Sequence, residues 1–511
     1  MTGGNQENLN EKQEDEFTED DPLRSQDVKE VSQPSVCAKF CHLIKNMTVE
    51  ASLLFLIMSS LISMLTTQNL SLEKACRVNL NFSDEICTSL KLQDSDVNSQ
   101  NQYEKETQKL LASVMAKRTY ISATIPCVIA LLVGAWSDKT GHRKVFLTIS
   151  IFGQFLITIN NMLNVYFFHE LSVEVLVFSE AILESFSGGW CVGILTAFSY
   201  ISAITSDEDR TYRMGLLNFC MTVGFPVGMG LSGILLKKYG YYGSYGLAGA
   251  IHSLNVMYSI FVLKDPKRNK EQKKYDKQGI RHFFRTFFDF ANVKDTVGVV
   301  FKKAPNNRRV RLCILLAVVT VLFGPMYGEV SILYLSTRYR FNWDEIKFSI
   351  FQTYNFVTHT VGTIFSILFF SKYLKWDDSI LGIISTISKI AGSFVYCFAP
   401  NDKIFFIAPL VEILNGTALL AMRSIFSKMV QPDELGKMNS VVGLTENLMP
   451  LLYVPLYTKV YTSTMEVLPG AVFLMGALMT LPAVGAFIWL FVEHRLSLRK
   501  TKSEIENQSP D

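Results

Sequence analysis

The sequence predicts an all-α membrane protein whose twelve transmembrane helices form two six-helix bundles. Apolar residues make up 49% of the 511-residue chain. They gather into repeated runs of about 20 residues, the length of a helix that crosses ~30 Å of hydrocarbon. A long basic segment separates six such runs from six more. We expect spans near residues 48–68, 119–137, 145–166, 174–204, 214–236, 244–263, 311–334, 347–371, 379–399, 404–426, 438–460 and 470–492.

The segments outside the runs are interpreted from their composition. The first 45 residues are polar and acidic, as in "EKQEDEFTEDD", which predicts a disordered tail and no cleaved signal peptide. In the central segment, "RHFFRTFFDF" predicts an amphipathic helix on the inner leaflet, with a disordered linker as the alternative. The expected domains are a disordered cytosolic tail at 1–45, six-helix bundles at 46–265 and 311–492, a basic cytosolic loop at 266–310, and a cytosolic tail at 493–511.

The loop charges predict the orientation, because cytosolic loops of membrane proteins are enriched in lysine and arginine. The segment from Lys264 to Arg311 is strongly basic, so both termini are expected in the cytosol and the first loop outside. That outer loop carries glycosylation sequons at Asn81 and at the membrane-proximal Asn69. It also carries two nearby cysteines in an oxidising compartment. A local disulfide is expected, with two free thiols as the alternative, between Cys76 and Cys87.

The stretch "GAWSDKTGHRK" falls in the short cytosolic turn between the second and third predicted spans. Taken alone it is a solvated basic turn. Its spacing, however, resembles motif A of the major facilitator superfamily, a loop that latches the cytosolic ends of the two bundles in the outward-facing state. The matching residues are Gly134, Asp138, Gly141, Arg143 and Lys144, while His142 stands where arginine is common. We group two arginines of the next cytosolic loop with this latch, Arg210 and Arg213.

Further stretches narrow the resemblance to one family. The pieces "TVEASLLFL", "GAWSD", "RTYRMGLL" and "MRSIFSKMV" together look like the proton-coupled folate transporter family, solute carrier family 46. The resemblance covers roughly residues 46–492. It implies the major facilitator fold, substrate binding between the bundles and alternating access. It also implies proton-coupled import of large organic anions: folates, muropeptides or cyclic dinucleotides.

Ionisable residues inside the predicted spans are functional candidates, because an unpaired charge at the bilayer centre is costly. The expected proton-coupling residues are Glu180, Glu184, Glu329, Glu412 and Glu446. Glu180 and Glu184 are four apart and share one helix face, where repulsion would raise the pKa of one of them. The alternative for this pair is a tilted helix with both carboxylates in an aqueous vestibule.

Three residues are expected to bind substrate. Arg423 matches a family arginine, and its planar guanidinium suits carboxylate or phosphate; a snorkelling interfacial cation is the alternative. His359 titrates near neutral pH, although a lone histidine in a span is more often a packing residue. Asn218 stands where the family places a proton-coupling carboxylate, and an amide cannot take up a proton. The family also joins its first outer loop to a cysteine between the seventh and eighth spans, where this chain has none.

The expected function is secondary active import of an organic anion coupled to protons. A facilitator or exchanger without proton coupling is one alternative, and a non-transporting receptor or scaffold is another. No enzyme, metal or cofactor motif is present in the sequence. The expected partners are a small anion and the bilayer, with no nucleic acid, and the protein is expected to be a monomer. We expect the plasma membrane, with the endolysosomal membrane as the alternative.

Overall fold

The computed structural model describes residues 48–92, 97–205, 207–265, 287–288, 298, 308–374, 376–430 and 435–508. The regular secondary structure of these residues is helical throughout. The N-terminal tail and nearly all of the central basic loop, with its expected amphipathic helix, lie outside them. The helices are α1 Val49–Lys74, α2 Asp84–Leu92, α3 Val97–Thr140, α4 Lys144–Tyr166, α5 Val173–Ser187, α6 Gly189–Ile204, α7 Asp207–Phe261, α8 Arg308–Phe341, α9 Glu345–Ser366, α10 Asp378–Phe398, α11 Asp402–Phe405, α12 Ala408–Val411, α13 Thr417–Met429, α14 Leu435–Thr464 and α15 Ala471–Gln508.

Helices occupy every one of the twelve predicted positions. In the described part of the chain, eight helices are long and apolar enough to cross a membrane. The predicted fifth and sixth spans form one stretch, α7, in which two helices meet at Gly240 with a φ of 65°. The predicted eighth and eleventh spans, in α9 and α14, are not among the eight, and the tenth is broken into short pieces. The prediction of an all-α membrane protein is therefore confirmed.

The fourth predicted span and the tenth are both interrupted. Gly188 and Gly189, with φ of 78° and 54°, separate α5 from α6. These angles suit glycine because it lacks a Cβ. The tenth span consists of α11, α12 and α13, with turn residues 412–416 before α13. Each break lies in the fourth span of its half. Interrupted helices at corresponding positions of two halves are typical of transporter binding sites.

Close helix packing surrounds the second break. A Cβ at Gly362 of α9 would lie 1.9 Å from the carbonyl oxygen of Ile413, so only glycine lets α9 approach this turn. Gly324 and Gly328 of α8 similarly admit the rings of Tyr453 and Tyr457 of α14. Small residues are how membrane helices approach each other closely. The C-terminal half therefore holds its broken helix against tightly packed neighbours.

We call the end where α1 begins the near end and the opposite one the far end. The two halves are joined at the far end. There Arg338 of α8 donates to Glu104 of α3 at 2.9 Å and to the carbonyl of Leu90 at 2.5 Å. Gln108 of α3 accepts from the hydroxyl of Tyr461 of α14 at 2.7 Å and donates to α8. These contacts close the space between the halves at this end.

An exposed ion pair adds to the far-end closure. Asp344 caps α9 by accepting from the backbone N–H of Lys347 at 2.9 Å, and it pairs with Lys237 of α7 at 2.9 Å. Partial burial would raise the pKa of Asp344. The backbone donor and the Lys237 ammonium outweigh that effect and hold this pKa below its usual value.

Candidate functional site

The first polar group inside the helices joins Arg423 of α13 to Glu446 of α14. The same guanidinium nitrogen, Nη2, lies 3.0 Å from Oε1 and 3.2 Å from Oε2 of Glu446. The Arg423 side chain is 55% exposed, whereas that of Glu446 is 13% exposed. A solvent-accessible guanidinium is therefore paired with a carboxylate that is largely shielded from water. The structure brings these two predicted residues together.

The second group lies in the N-terminal half, just before the break between α5 and α6. Nη2 of Arg118, on α3, lies 3.0 Å from Oε1 of Glu180 and 2.9 Å from Oε2 of Glu184. The three side chains are each about one fifth to one quarter exposed. The two predicted carboxylates thus share one arginine. With all three groups ionised, Arg118, Glu180 and Glu184 together carry one net negative charge.

The third group lies at the break in the tenth predicted span. Nζ of Lys389, on α10, lies 2.6 Å from Oε2 of Glu329 and 3.2 Å from Oε2 of Glu412. Nε2 of His359 lies 3.3 Å from Oε1 of Glu412, and the hydroxyl of Tyr396 donates to the same oxygen at 3.2 Å. His359 therefore joins the predicted proton residues rather than standing alone as a substrate ligand.

The described latch residues contact their own half. Gly141 has a φ of 74° and makes the turn between α3 and α4. Arg143 donates to Ser199 at 2.8 Å, and the ammonium of Lys144 donates to the carbonyl of Ile260 at 2.7 Å. Arg213 pairs with Glu50 at 2.6 Å. Gly134 lies within α3, and the side chains of two latch residues lie outside the described part of the chain, those of Asp138 and Arg210.

The loop that is predicted to lie outside is held by a disulfide between Cys76 and Cys87. Asn81 in this loop is exposed. Asn69 is not: it is buried in α1, and its Nδ2 donates to the hydroxyl of Tyr334 at 2.7 Å. A glycan would need that same nitrogen, so the expectation of glycosylation at Asn69 is corrected by the burial of its side chain. Asn218 is exposed and donates to the carbonyl of Met214 in its own helix at 3.0 Å.

Sequence reasoning found Arg423 but missed the cations that complete the second and third groups. Lys389 lies in the apolar stretch "ISTISKIAGSF" and Arg118 at the edge of a predicted span, so neither forms a motif. They could have been sought on physical grounds, because a charge inside a membrane needs a partner and each buried glutamate therefore requires a cation nearby. Among the described residues, no group of three or more His, Cys, Asp or Glu side chains is placed so that it could hold a metal ion.

Charged groups inside two helical halves, beside interrupted helices, define a membrane transporter rather than an enzyme. The chain belongs to the Major Facilitator Superfamily, whose family model matches residues 111–452. Solved structures of this superfamily share the fold. The human organic anion transporter MFSD10 aligns with a TM-score of 0.55 at 13% identity, covering 86% of this chain and 98% of that one. The inward-open xylose transporter XylE of E. coli aligns with a TM-score of 0.54, also at 13% identity, covering 86% and 94%.

Similar sequences come from solute carrier family 46. The Gallus gallus lysosomal proton-coupled steroid conjugate and bile acid symporter SLC46A3 is 24% identical over 369 residues, covering 71% of this chain and 76% of the relative. The proton-coupled folate transporter of Rattus norvegicus is 26% identical, covering 69% and 73%. The probable peptidoglycan muropeptide transporter SLC46 of Drosophila melanogaster is 21% identical, covering 83% and 81%. These relatives confirm the resemblance predicted from the motifs, and the expectation of a transporter rather than an enzyme.

Proposed function

We propose that this transporter imports an organic anion into the cytosol together with protons. The observation that carries the proposal is the pair between Arg423 and Glu446. While Glu446 is ionised, its carboxylate holds the guanidinium at 3.0 and 3.2 Å. A proton on Glu446 removes the charge that attracts Arg423. A substrate carboxylate, sulfate or phosphate then takes its place, because arginine binds such groups through two parallel donors. Proton uptake and anion binding are thereby one linked event.

The group of Arg118, Glu180 and Glu184 supports the same function. Two carboxylates share one guanidinium, and burying an uncompensated charge is unfavourable. One proton on this group restores neutrality and could be carried between conformations. Asn218 cannot serve in this way because an amide does not titrate. The coupling is therefore assigned to the glutamates, and Asn218 is left as a residue that orients substrate.

The substrate class is proposed from chemistry and from the relatives. Their names give steroid conjugates and bile acids, folate, and muropeptides, which are organic molecules with acidic groups. We propose a folate-like compound, a cyclic dinucleotide or a muropeptide as the cargo, with no resident cofactor. With the near end in the cytosol, as the loop charges predict, the closed far end is the outward end of the transport pathway. The plasma membrane is the proposed site, and the endolysosomal membrane the alternative.

The variant Glu446→Gln tests the proposal. Glutamine keeps the shape of the side chain but leaves Arg423 without a carboxylate at every pH. The proton on Glu446 should by itself raise the apparent affinity of the wild type for the anion about tenfold per pH unit of acidification above the pKa of Glu446. The variant should lack this contribution, so it should bind the anion more tightly than the wild type at neutral pH and with a weaker pH dependence.

The matched control is Glu493→Gln, which breaks another glutamate–arginine pair of the same half, to Arg311. It should leave the pH profile unchanged. Uptake and binding of labelled folate, a cyclic dinucleotide and a muropeptide would be measured at acidic and neutral pH. Accumulation without any pH dependence in the wild type would favour the uncoupled facilitator that Asn218 suggests. Absence of uptake for all three anions by correctly localised protein would contradict the proposal.

A further inference from the structure

The buried group at the second helix break contains more negative charge than it can balance. Two carboxylates, those of Glu329 and Glu412, face the ammonium of Lys389 at 2.6 and 3.2 Å. The residues are 8%, 3% and 7% exposed. With His359 neutral, the group has one net negative charge. Such a charge in a poorly hydrated interior is unfavourable, and proteins relieve it by binding a proton.

Three buried oxygen atoms without a hydrogen-bond partner show where that proton could bind. Oε1 of Glu329 and the hydroxyl of Tyr457, a residue with 0% exposure, have no hydrogen-bond partner among the described residues. Both atoms border Gly476 of α15: a Cβ there would lie 2.3 Å from Oε1 and 2.9 Å from the hydroxyl. Oε2 of Glu412 also lacks a hydrogen bond and relies on Lys389 alone. Buried oxygens in this state normally bind a proton or an ordered water.

We propose that Glu329 and Glu412, with Lys389 between them, form a further proton site, which His359 connects to the cavity. The proposal rests on proton-coupled transport by this protein. The His359 side chain is 22% exposed and its Nε2 lies 3.3 Å from Glu412, whose side chain is 4% exposed. An imidazolium at His359 transfers its proton to Oε1 of Glu412, leaving a neutral imidazole and a neutral carboxyl. Release follows the reverse path.

The groups around this site come from every helix packed against it. Lys389 and Tyr396 belong to α10, His359 to α9, Glu329 to α8 and Tyr457 to α14, while Glu412 begins the turn before α13. Two further tyrosines stand next to these phenols, Tyr354 and Tyr453. Lys389 is the one permanently charged group among them. We assign it as a positioning residue, which keeps one of the two carboxylates ionised so that the site takes one proton rather than two.

The location of the site links it to both ends of the transport pathway. Glu329 lies nine residues before Arg338 on α8, the helix that contributes Arg338 to the far-end closure. Glu412 precedes α13, the helix that carries Arg423. A change of charge at the site alters the attraction between α8, α10 and the broken tenth span. Proton binding here is therefore coupled to the conformational change, independently of the proton at Glu446.

Infrared difference spectroscopy of the purified full-length protein, titrated with acid in the absence of any substrate, tests the site directly. Beside the bands of Glu446 and of the Glu180–Glu184 pair, the wild type should show the carbonyl band of one more buried carboxyl as it gains its proton. Glu329→Gln and Glu412→Gln should each abolish or shift this band, because the two carboxylates share the proton. Glu446→Gln should leave it in place. Lys389→Met should enlarge the band, since both carboxylates then become protonated, whereas Lys389→Arg should restore the wild-type spectrum.

Transport supplies the second measurement. The slope of the logarithm of apparent anion affinity against pH equals the number of protons taken up, and it should be lower by about one in Glu412→Gln than in the wild type. An unchanged band in both glutamine variants, or a band in Lys389→Met no larger than in the wild type, would overturn the assignment. Because the spectra need no substrate, this failure is distinct from a failure to transport anions. Thermal unfolding of each variant shows whether it is folded, and Lys389→Arg keeps the test valid if Lys389→Met is not.

Discussion

Replacing Arg338 with methionine should open the far end of the protein. The guanidinium bridges the halves by donating to Glu104 at 2.9 Å and to the carbonyl of Leu90 at 2.5 Å. The side chains of Arg338 and Glu104 are 7% and 12% exposed, so the pair is largely removed from water. Methionine preserves much of the apolar stem but leaves Glu104 buried without its cation.

The expected magnitude follows from that burial. Removing one partner of a buried ion pair costs about 3–5 kcal/mol, because the other charge remains buried. The penalty applies to the conformation with a closed far end, since opening that end lets water reach Glu104. At about 1.4 kcal/mol per factor of ten, the closed population relative to the open one should fall on the order of a hundredfold to a thousandfold. By contrast, Lys237→Ala breaks an exposed pair and should change this ratio less than about fivefold.

A cysteine at Thr107 reports the state of the far end, because this residue is 2% exposed and lines a far-end cavity with Glu104 and Arg338. The rate at which a membrane-impermeant maleimide labels Thr107→Cys would be compared with and without Arg338→Met. Acceleration by one order of magnitude or more is expected, with little change in the Lys237→Ala background. Equal labelling rates in all three backgrounds would refute the view that Arg338 closes this end.

Two further changes have defined outcomes. Gly476→Ala places a methyl group against the oxygens of Glu329 and Tyr457. It should therefore destabilise the protein by about 1–3 kcal/mol and alter its pH profile. The control is Gly485→Ala on the same helix, which meets no atom within 4 Å and should be neutral. Asp344→Ala removes a helix cap and should cost about 1 kcal/mol of stability at neutral pH. Because the pKa of Asp344 is lowered in the folded protein, this cost should persist above about pH 4 and vanish in stronger acid. Measurements of the free energy of unfolding across pH check the predictions for Gly476→Ala and Asp344→Ala. Equal effects of Gly476→Ala and Gly485→Ala would contradict the prediction for Gly476.

The fold was largely accessible from the sequence because crossing a bilayer demands long apolar helices. Hydropathy alone did not reveal the breaks at Gly188 and after Val411, since a short turn inside a run barely lowers its mean hydropathy. It did separate the two helices of the kinked α7, because the predicted fifth and sixth spans, 214–236 and 244–263, lie on either side of Gly240. The boundaries shifted most in α3, which extends from Val97, well before the predicted start of the second span. Polar residues there pack against the far end rather than the membrane.

The carboxylates of the candidate site were also accessible, because charges inside a span stand out. Two of their cationic partners, Lys389 and Arg118, were not. Lys389 pairs with Glu329, sixty positions earlier, and Arg118 pairs with Glu180, sixty-two positions later. Such pairings arise from helix packing, which no local pattern encodes. Asn69 shows the opposite case: its sequon was evident, but only the fold reveals that its amide is buried against Tyr334.

Anion-driven proton movement in proteoliposomes is the most direct test of the account. Purified protein would be reconstituted with a pH-sensitive dye inside, and folate, a cyclic dinucleotide or a muropeptide added outside at acidic pH. At least one anion should acidify the lumen and accumulate, and Glu446→Gln should lower the number of protons moved per anion while retaining anion binding. Anion uptake without any movement of protons, in the wild type as well as in the variant, would contradict proton-coupled transport.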